Sequence, residues 1–217
     1  MISWNPITGC LHNCVYCWAR RYSRRLAELG IEPYKTHDFK PAFAEWRLRQ
    51  KFPRGEFVFV SDMGDMWGNW VPRDWIERVL RVAGAKMDSL FLFLTKNPKR
   101  YHEFTDKFRS NMLLGVTIET NRPYKVTRAP TPRERFEAMR DLDWSRKVIV
   151  IEPILDFDFE FADWIREINP EFIHIGYDNY GNRLPEPPLI KTIALKEELS
   201  RITEVETGTL RRAWYEQ

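Results

Sequence analysis

The sequence predicts one α/β domain in which six strands alternate with helices to build a parallel sheet. Three observations predict it. Short apolar runs rich in β-forming residues recur at 1–4, 57–60, 90–94, 113–116, 148–151 and 172–175. A helical pattern or a helix-opening proline follows each run, and that alternation is the mark of a parallel sheet wrapped by helices. The length, 217 residues, suits one domain with an ample core, and no repeat or low-complexity segment interrupts it. Six βα units are too few to close an eight-stranded barrel.

Taken in order, residues 1–4 form a short first strand, and a helix follows Cys17 to about Leu29 with Arg20, Arg21, Arg24 and Arg25 on its polar side. Asp38 is placed to cap a second helix over 39–51, which Pro53 ends. The run Phe57, Val58, Phe59, Val60 reads as a strand buried on both faces. Pro72 opens a helix in which Trp75, Ile76, Val79, Leu80 and Ala83 keep helical spacing. The 90–94 strand leads to a helix opened by Pro98, and the 113–116 strand leads through a long loop to a helix over 132–140. Residues 148–151 precede a helix around 159–168, and 172–175 precede a last helix over about 188–202. The domain spans 1–205, and 206–217 form a C-terminal tail with no assigned element.

Composition is that of a soluble globular protein, 43% hydrophobic and 30% charged. No apolar run approaches the roughly 18 residues of a membrane span. The first cysteine stands at position 10, which leaves no room for a signal peptide, so a cytoplasmic location is expected. A net charge of +3 does not by itself argue for nucleic acid.

The only cysteines are Cys10, Cys14 and Cys17, spaced C-x3-C-x2-C within Gly9-Cys10-Leu11-His12-Asn13-Cys14-Val15-Tyr16-Cys17. Thiols this close on one loop point to iron or zinc. A disulfide is a poor reading, because an odd count leaves one thiol over and a reducing compartment would not keep the bridge. A Cys3His zinc site would use His12, although zinc sites of this kind usually draw on two separated ligand pairs. Iron–sulfur clusters are normally closed by cysteine on every iron, so three cysteines on a cubane leave one iron open to an exchangeable ligand.

The arrangement resembles the signature of the radical S-adenosylmethionine (SAM) superfamily, with Tyr16 in the aromatic place before the last cysteine. The resemblance implies a [4Fe-4S] cluster on Cys10, Cys14 and Cys17, SAM chelated by the open iron, and Tyr16 over the SAM site. It further implies an external one-electron donor and cleavage of SAM to methionine and a 5′-deoxyadenosyl radical, which removes hydrogen from a substrate. The implied fold is an open partial (β/α)6 TIM-like barrel with the cluster loop after the first strand. The strand count, reached independently, agrees.

In parallel α/β folds ligands bind at the carboxyl ends of the strands. There the superfamily commonly has a Gly-Gly-Glu-like segment for the SAM amino group; this chain has Ser61 and Asp62 instead. Lys96 is placed to meet the SAM carboxylate as a point charge, Thr117 to bind the same carboxylate, and Glu119 to take the ribose hydroxyls. Glu152 follows the fifth strand and completes the expected cofactor set. The competing reading makes Ser61 and Asp62 a polar turn with a helix cap and Lys96 a solvated loop residue. From residue 4 to about 180, segments such as Trp4-Asn5-Pro6-Ile7-Thr8-Gly9 and Ser61-Asp62-Met63-Gly64-Asp65 look like the phage Gp37/Gp68-type (DUF5131) group of radical SAM proteins. The Ser-Asp, Lys and Thr placements are also similar to those of spore photoproduct lyase, which repairs a thymine dimer in DNA.

With no further cysteine, a second cysteine-ligated cluster is excluded, and no thiol remains to relay a hydrogen atom. Tyr177 and Tyr180 are the alternatives, as relays or as packing. An open barrel mouth needs closing against water, by a large substrate or by a partner subunit. Residues 122–135 carry five basic side chains and one acid, and with the arginines after Cys17 they suit a phosphate-contacting rim. Trp67 and Trp70 are placed to stack on an exposed base. The opposing reading is a solvated basic loop with both tryptophans in the core. Two function classes follow: a radical enzyme, with nucleic acid among its substrate classes, or a non-catalytic Fe–S or zinc module that senses or docks with a partner protein. The strand-end residues favour the enzyme, since a sensor needs no partner for a SAM carboxylate.

Overall fold

The computed structural model describes residues 1–216; Gln217, the end of the expected tail, lies outside the described residues. The chain begins with β1 (Ile2–Trp4), β2 (Ile7–Thr8), α1 (Trp18–Glu28), the one-turn α2 (Tyr34–His37) and β3 (Ala42–Phe43). Then follow β4 (Phe57–Val60), α3 (Arg73–Gly84), β5 (Leu90–Thr95), β6 (Met112–Thr117), α4 (Pro132–Arg140) and β7 (Lys147–Ile151). The last elements are α5 (Phe161–Ile168), β8 (Phe172–Ile175), α6 (Leu189–Leu199) and β9 (Glu204–Thr207). One seven-stranded sheet in the order β1-β4-β5-β6-β7-β8-β9 forms the frame, with every neighbouring pair parallel. It is a half-barrel, the partial TIM-like α/β fold expected from the strand and helix order.

The core lies outside the sheet, under the helices. Val58, Val60, Phe91, Phe93, Met112, Leu114, Val116, Ile149, Ile151, Ile173 and Ile175 are buried there against Ile76, Val79, Leu80, Phe136, Ile165 and Leu195. Each large apolar side chain so enclosed contributes about 1.5–3 kcal/mol over its exposed state. Trp67 belongs to this layer, edge-on to Tyr101 at 4.6 Å and Phe104 at 5.5 Å. It is therefore a core residue and cannot stack on a base; Trp70, half-buried against the His12 ring at 4.8 Å, is likewise engaged.

Several expectations are corrected. The run at 57–60 is not buried on both faces: Val58 and Val60 are enclosed, while Phe57 and Phe59 are half-buried on the inner face of an open half-barrel. No helix forms over 39–51. Asp38 ends α2 with φ 53° instead of capping, Pro41 has no amide to donate, and Ala42–Phe43 pairs antiparallel with β2. The Ala44 amide donates to the Pro6 carbonyl at 2.8 Å, after which Glu45–Arg49 makes only a 3-10 turn. Pro98 opens a 3-10 turn (Pro98–Glu103), not an α-helix. Glu204–Thr207 adds a seventh strand that the sequence reading did not assign. Beyond it the chain folds back: the Glu216 carboxylate accepts the Leu189 and Ala213 amides, and the Trp214 indole donates to the Leu184 carbonyl. No helix among the described residues is long and apolar enough to cross a membrane.

Candidate active site

The cysteine loop joins β2 to α1 at the carboxyl end of the sheet. Gly9 takes φ 79° and bridges in parallel to Gly64, its amide donating to the Met63 carbonyl at 3.0 Å. A Cβ on Gly64 would stand 2.8 Å from the Gly9 amide nitrogen and carbonyl oxygen, so only glycine lets the two loops touch. Cys17 caps α1, its sulfur accepting the Arg20 amide at 3.4 Å; the His12 amide reaches Cys10 at 3.4 Å, and Cys14 meets the Thr127 hydroxyl at 3.2 Å. All three are free thiols, half-buried. Burial, then the nearby Asp65 charge, pushes the Cys10 thiol well up, and burial raises Cys17.

The three cysteines edge a cavity of about 970 Å³ that runs down the inside of the half-barrel. Its floor is apolar, with Phe57, Phe59, Leu92, Leu94, Val150 and Phe172 from the inner strand faces. Its upper wall holds Ser61, Asp62, Asp65, Lys96, Thr117 and Glu152. Five of the seven residues expected around SAM therefore stand on this wall. Tyr16, from the cysteine loop, also lines the cavity, and Glu119 does not.

Ser61 has φ 57° and is buried, and its hydroxyl has no hydrogen-bond partner among the described residues. Asp62 beside it is committed, accepting from the Ser3 hydroxyl at 2.6 Å and from the Asn5 amide. Sequence reasoning overlooked Asp65, the hub of this wall. Its carboxylate takes the His12 ring at 3.0 Å, the Thr95 hydroxyl at 2.8 Å and the Lys96 and Trp67 amides at 3.0 Å. Burial alone would raise its carboxyl, but these donors, His12 foremost, hold it below the usual range. The only signals were a histidine inside the cysteine motif and a second aspartate in Ser61-Asp62-Met63-Gly64-Asp65.

Glu119 is 1% exposed and fully engaged. It accepts from the Tyr16 hydroxyl, from Lys96 Nζ at 3.1 Å and from Arg135 Nη1 at 2.7 Å. Burial opposes its charge, yet Arg135 and Lys96 outweigh burial and bring its pKa down to about 2. The carboxylate expected at a ribose is thus turned inward. Lys96, expected at the SAM carboxylate, stands at the cavity wall with one donor on Glu119 and its ammonium 5.5 Å over the Tyr16 ring. Arg135 comes from α4 and also donates to the Thr117 carbonyl at 2.6 Å. Glu152 accepts from His174 at 3.0 Å and from Asn179 at 3.2 Å, with Glu206 of β9 3.9 Å from the other ring nitrogen. The Glu152 hydrogen bond raises the His174 pKa.

The basic segment at 122–135 is largely spoken for. Arg122 pairs with Asp156 and Asp158, Arg133 with Glu137, and Arg135 with Glu119. Its backbone props the cysteine loop, with the Val15 amide on the Val126 carbonyl at 3.0 Å and the Arg128 amide on the His12 carbonyl at 2.6 Å. It is a brace more than a phosphate rim. Tyr177 is buried, bonded to the Pro187 carbonyl and Thr192, whereas Tyr180 is exposed at the cavity edge.

Three thiols on one loop are a donor set that an iron–sulfur cluster with one open iron would take. A tetrahedral zinc would draw its thiolates to about 3.8 Å from one another, and among the described residues no three His, Cys, Asp or Glu side chains are grouped to hold one metal ion. His12 also spends one ring nitrogen on Asp65. A family model described as "Protein of unknown function (DUF5131)" matches residues 2–166. The chain belongs to the DUF5131 family. No curated protein matches it in sequence. Among solved structures, this DUF5131 chain is similar to a mutant of spore photoproduct lyase, with a TM-score of 0.63 and 13% identity over 93% of this chain and 75% of that one. Another mutant of that lyase, with bound AdoMet and dinucleoside spore photoproduct, matches with a TM-score of 0.53 and 12% identity, over 92% of this chain and 61% of that one. SuiB of Streptococcus suis bound to its precursor peptide SuiA gives 0.57 and 11%, over 96% of this chain and half (50%) of SuiB. These neighbours are radical SAM enzymes, and at such identity the likeness is one of fold.

Proposed function

We propose that this chain is a radical SAM enzyme of the phage Gp37/Gp68 type, holding a [4Fe-4S] cluster on Cys10, Cys14 and Cys17 with S-adenosylmethionine beside it. One observation carries the reading. The chain's only three thiols edge one cavity at the carboxyl end of a parallel half-barrel, and a buried Ser61 hydroxyl without a partner lines the same cavity. When bound, the cluster and SAM supply, with an electron from an external donor, the 5′-deoxyadenosyl radical that takes hydrogen from the substrate.

The chain's own residues bind, orient and shield. Ser61 offers its free hydroxyl to the SAM amino group, while Asp62, locked by Ser3 and Asn5, holds the turn that presents it. Lys96 keeps ammonium donors for the SAM carboxylate beyond the one on Glu119, and Thr117 adds a hydroxyl on the same wall. Glu119 acts through Tyr16, the residue just before Cys17, by fixing its hydroxyl. The phenylalanine floor keeps water from the reacting atoms. Glu152, held by His174 and Asn179, completes the upper wall. The substrate class is open at this level, since the similar structures hold a dinucleoside photoproduct in one case and a peptide in the other. The cytoplasm is the location that suits three reduced thiols.

The deciding experiment is 5′-deoxyadenosine release by anaerobically reconstituted, dithionite-reduced protein given SAM. Three to four irons per chain (the cubane range) and slow release, both lost in Cys14→Ala, support the enzyme. Iron without release would favour a non-catalytic Fe–S module that works with a partner protein, and zinc in place of iron would overturn the reading.

A further inference from the structure

We propose that the lip of the cavity holds a single-stranded nucleic acid, with its phosphates on the arginines of α1 and one base turned inward. The inference deepens the radical-enzyme reading by naming a substrate class. It stands on charges that the fold positions without neutralising. Arg20, Arg21, Arg24 and Arg25 all lie on α1, and none pairs with a carboxylate among the described residues. Two of them are nonetheless fixed. Arg20 donates to the side-chain carbonyl of Asn13 and lies 5.6 Å over the Phe39 ring. Arg21 donates to that of Asn182 and lies 5.4 Å over the Tyr180 ring. Neutral amides and rings hold the guanidinium groups still and leave their charge available to phosphate.

Aromatic faces stand beside them. Trp18, at the head of α1, and Tyr180 both line the cavity and are 40% and 51% exposed. Tyr22 lies next to Trp18, with ring centroids 6.5 Å apart. Base–aromatic stacking is the sequence-tolerant contact of single-strand binding. Below the lip the wall turns acidic, with Asp62, Asp65, Glu152, Asp178 and Glu206 against Lys96 and His174. A phosphate is repelled from that interior, whereas a neutral base or sugar can pass onto the apolar floor. The polarity therefore sets an orientation, phosphate outside and base inside. A base already unstacked avoids the few kcal/mol that extrusion from a duplex costs.

The test is fluorescence anisotropy of the full-length, anaerobically reconstituted protein with a short labelled single-stranded oligonucleotide. An abasic oligomer of equal charge and polyglutamate serve as comparisons. Two phosphates contacted should make log K fall with log salt at a slope of about −1.4, and Arg21→Gln should relax it by about 0.7. Trp18→Ala and Tyr180→Ala should each weaken binding roughly tenfold or more, with iron content unchanged; if one loses its iron, the other two variants carry the comparison. The abasic oligomer should bind at least tenfold more weakly. Absence of binding at low salt, equal binding of the abasic oligomer, or insensitivity to all three variants would overturn the proposal. Equal competition by polyglutamate would also overturn it, in favour of an acidic protein partner. Binding requires neither SAM nor turnover, so this inference and the radical-enzyme reading fail separately.

Discussion

Replacing Glu119 by Gln removes one charge from a place where burial and three partners meet, and the size of the effect can be worked out. The carboxyl titrates at about 2 against an ordinary 4.5, and the difference of 2.5 units at about 1.36 kcal/mol each corresponds to roughly 3 kcal/mol of stability at neutral pH. An independent route agrees: removing one partner of a buried ion pair costs about 3–5 kcal/mol, because the other charge is left uncompensated. Here that charge is Arg135, 2% exposed, which would keep only the Thr117 carbonyl as a partner. The sign follows from the depressed pKa. The contribution is complete above about pH 4.5 and is lost as pH falls toward 2, so wild type and Glu119→Gln should converge in acid. By pH 3 roughly 2 of those 3 kcal/mol should be gone. At neutral pH the variant should melt about 6–12 °C lower, given 2–4 °C per kcal/mol for a chain of this size. Urea unfolding of the metal-free protein, followed by circular dichroism from pH 7 to pH 3, measures both arms. A variant as stable as wild type at pH 7, or a gap that does not narrow in acid, would refute the assigned network.

Three further outcomes are expected. Ser61→Gly relieves a left-handed backbone and removes the unpartnered hydroxyl; stability should hold or rise by up to about 1 kcal/mol, while SAM affinity in equilibrium dialysis falls several-fold. Unchanged affinity would take Ser61 out of the cofactor site. Gly64→Ala places a methyl 2.8 Å from the Gly9 backbone and should displace the cysteine loop, so iron bound per chain should drop after reconstitution; a full complement of iron would show that the contact is dispensable. His174 has a pKa raised from 6.5 by Glu152, so its contribution is complete below about pH 6.5 and lost as pH rises through the raised value. Melting temperatures between pH 5.5 and 8.5 should therefore decline more in wild type than in His174→Gln, and parallel curves would dissolve the pair.

What the sequence disclosed divides by distance along the chain. The strands were legible because parallel strands read as continuous apolar runs, and the strand-end rule then located Ser61, Asp62, Lys96, Thr117 and Glu152 on one wall. Which face of a strand is open was not legible, since Phe57 and Val58 are both apolar and only the incomplete closure of the barrel separates them. Helical spacing over 39–51 lost to a pairing with β2, some 35 residues earlier, that no local pattern announces. The strand Glu204–Thr207 escaped notice because Glu-Val-Glu-Thr is polar; it is an edge strand whose Glu206 turns toward His174. Glu119 lies at the expected strand end, but its direction is set by Arg135, 16 residues on and in another element.

The two arginine-rich stretches carry the same lesson into function. Both look alike in composition, and both were read together as one phosphate rim. The fold supplies Arg122, Arg133 and Arg135 of the stretch at 122–135 with Asp156, Asp158, Glu137 and Glu119, and the backbone of this stretch braces the cysteine loop. Among the described residues the fold supplies the arginines of α1 with no carboxylate, and gives two of them the neutral amides of Asn13 and Asn182. Paired cations have part of their charge answered within the fold, whereas unpaired ones at a cavity lip keep theirs for an incoming anion. Charge density along the chain therefore identifies neither a brace nor a binding surface. The placement of the carboxylates does, and it moves the nucleic-acid expectation from the loop after β6 to the helix that begins at Cys17.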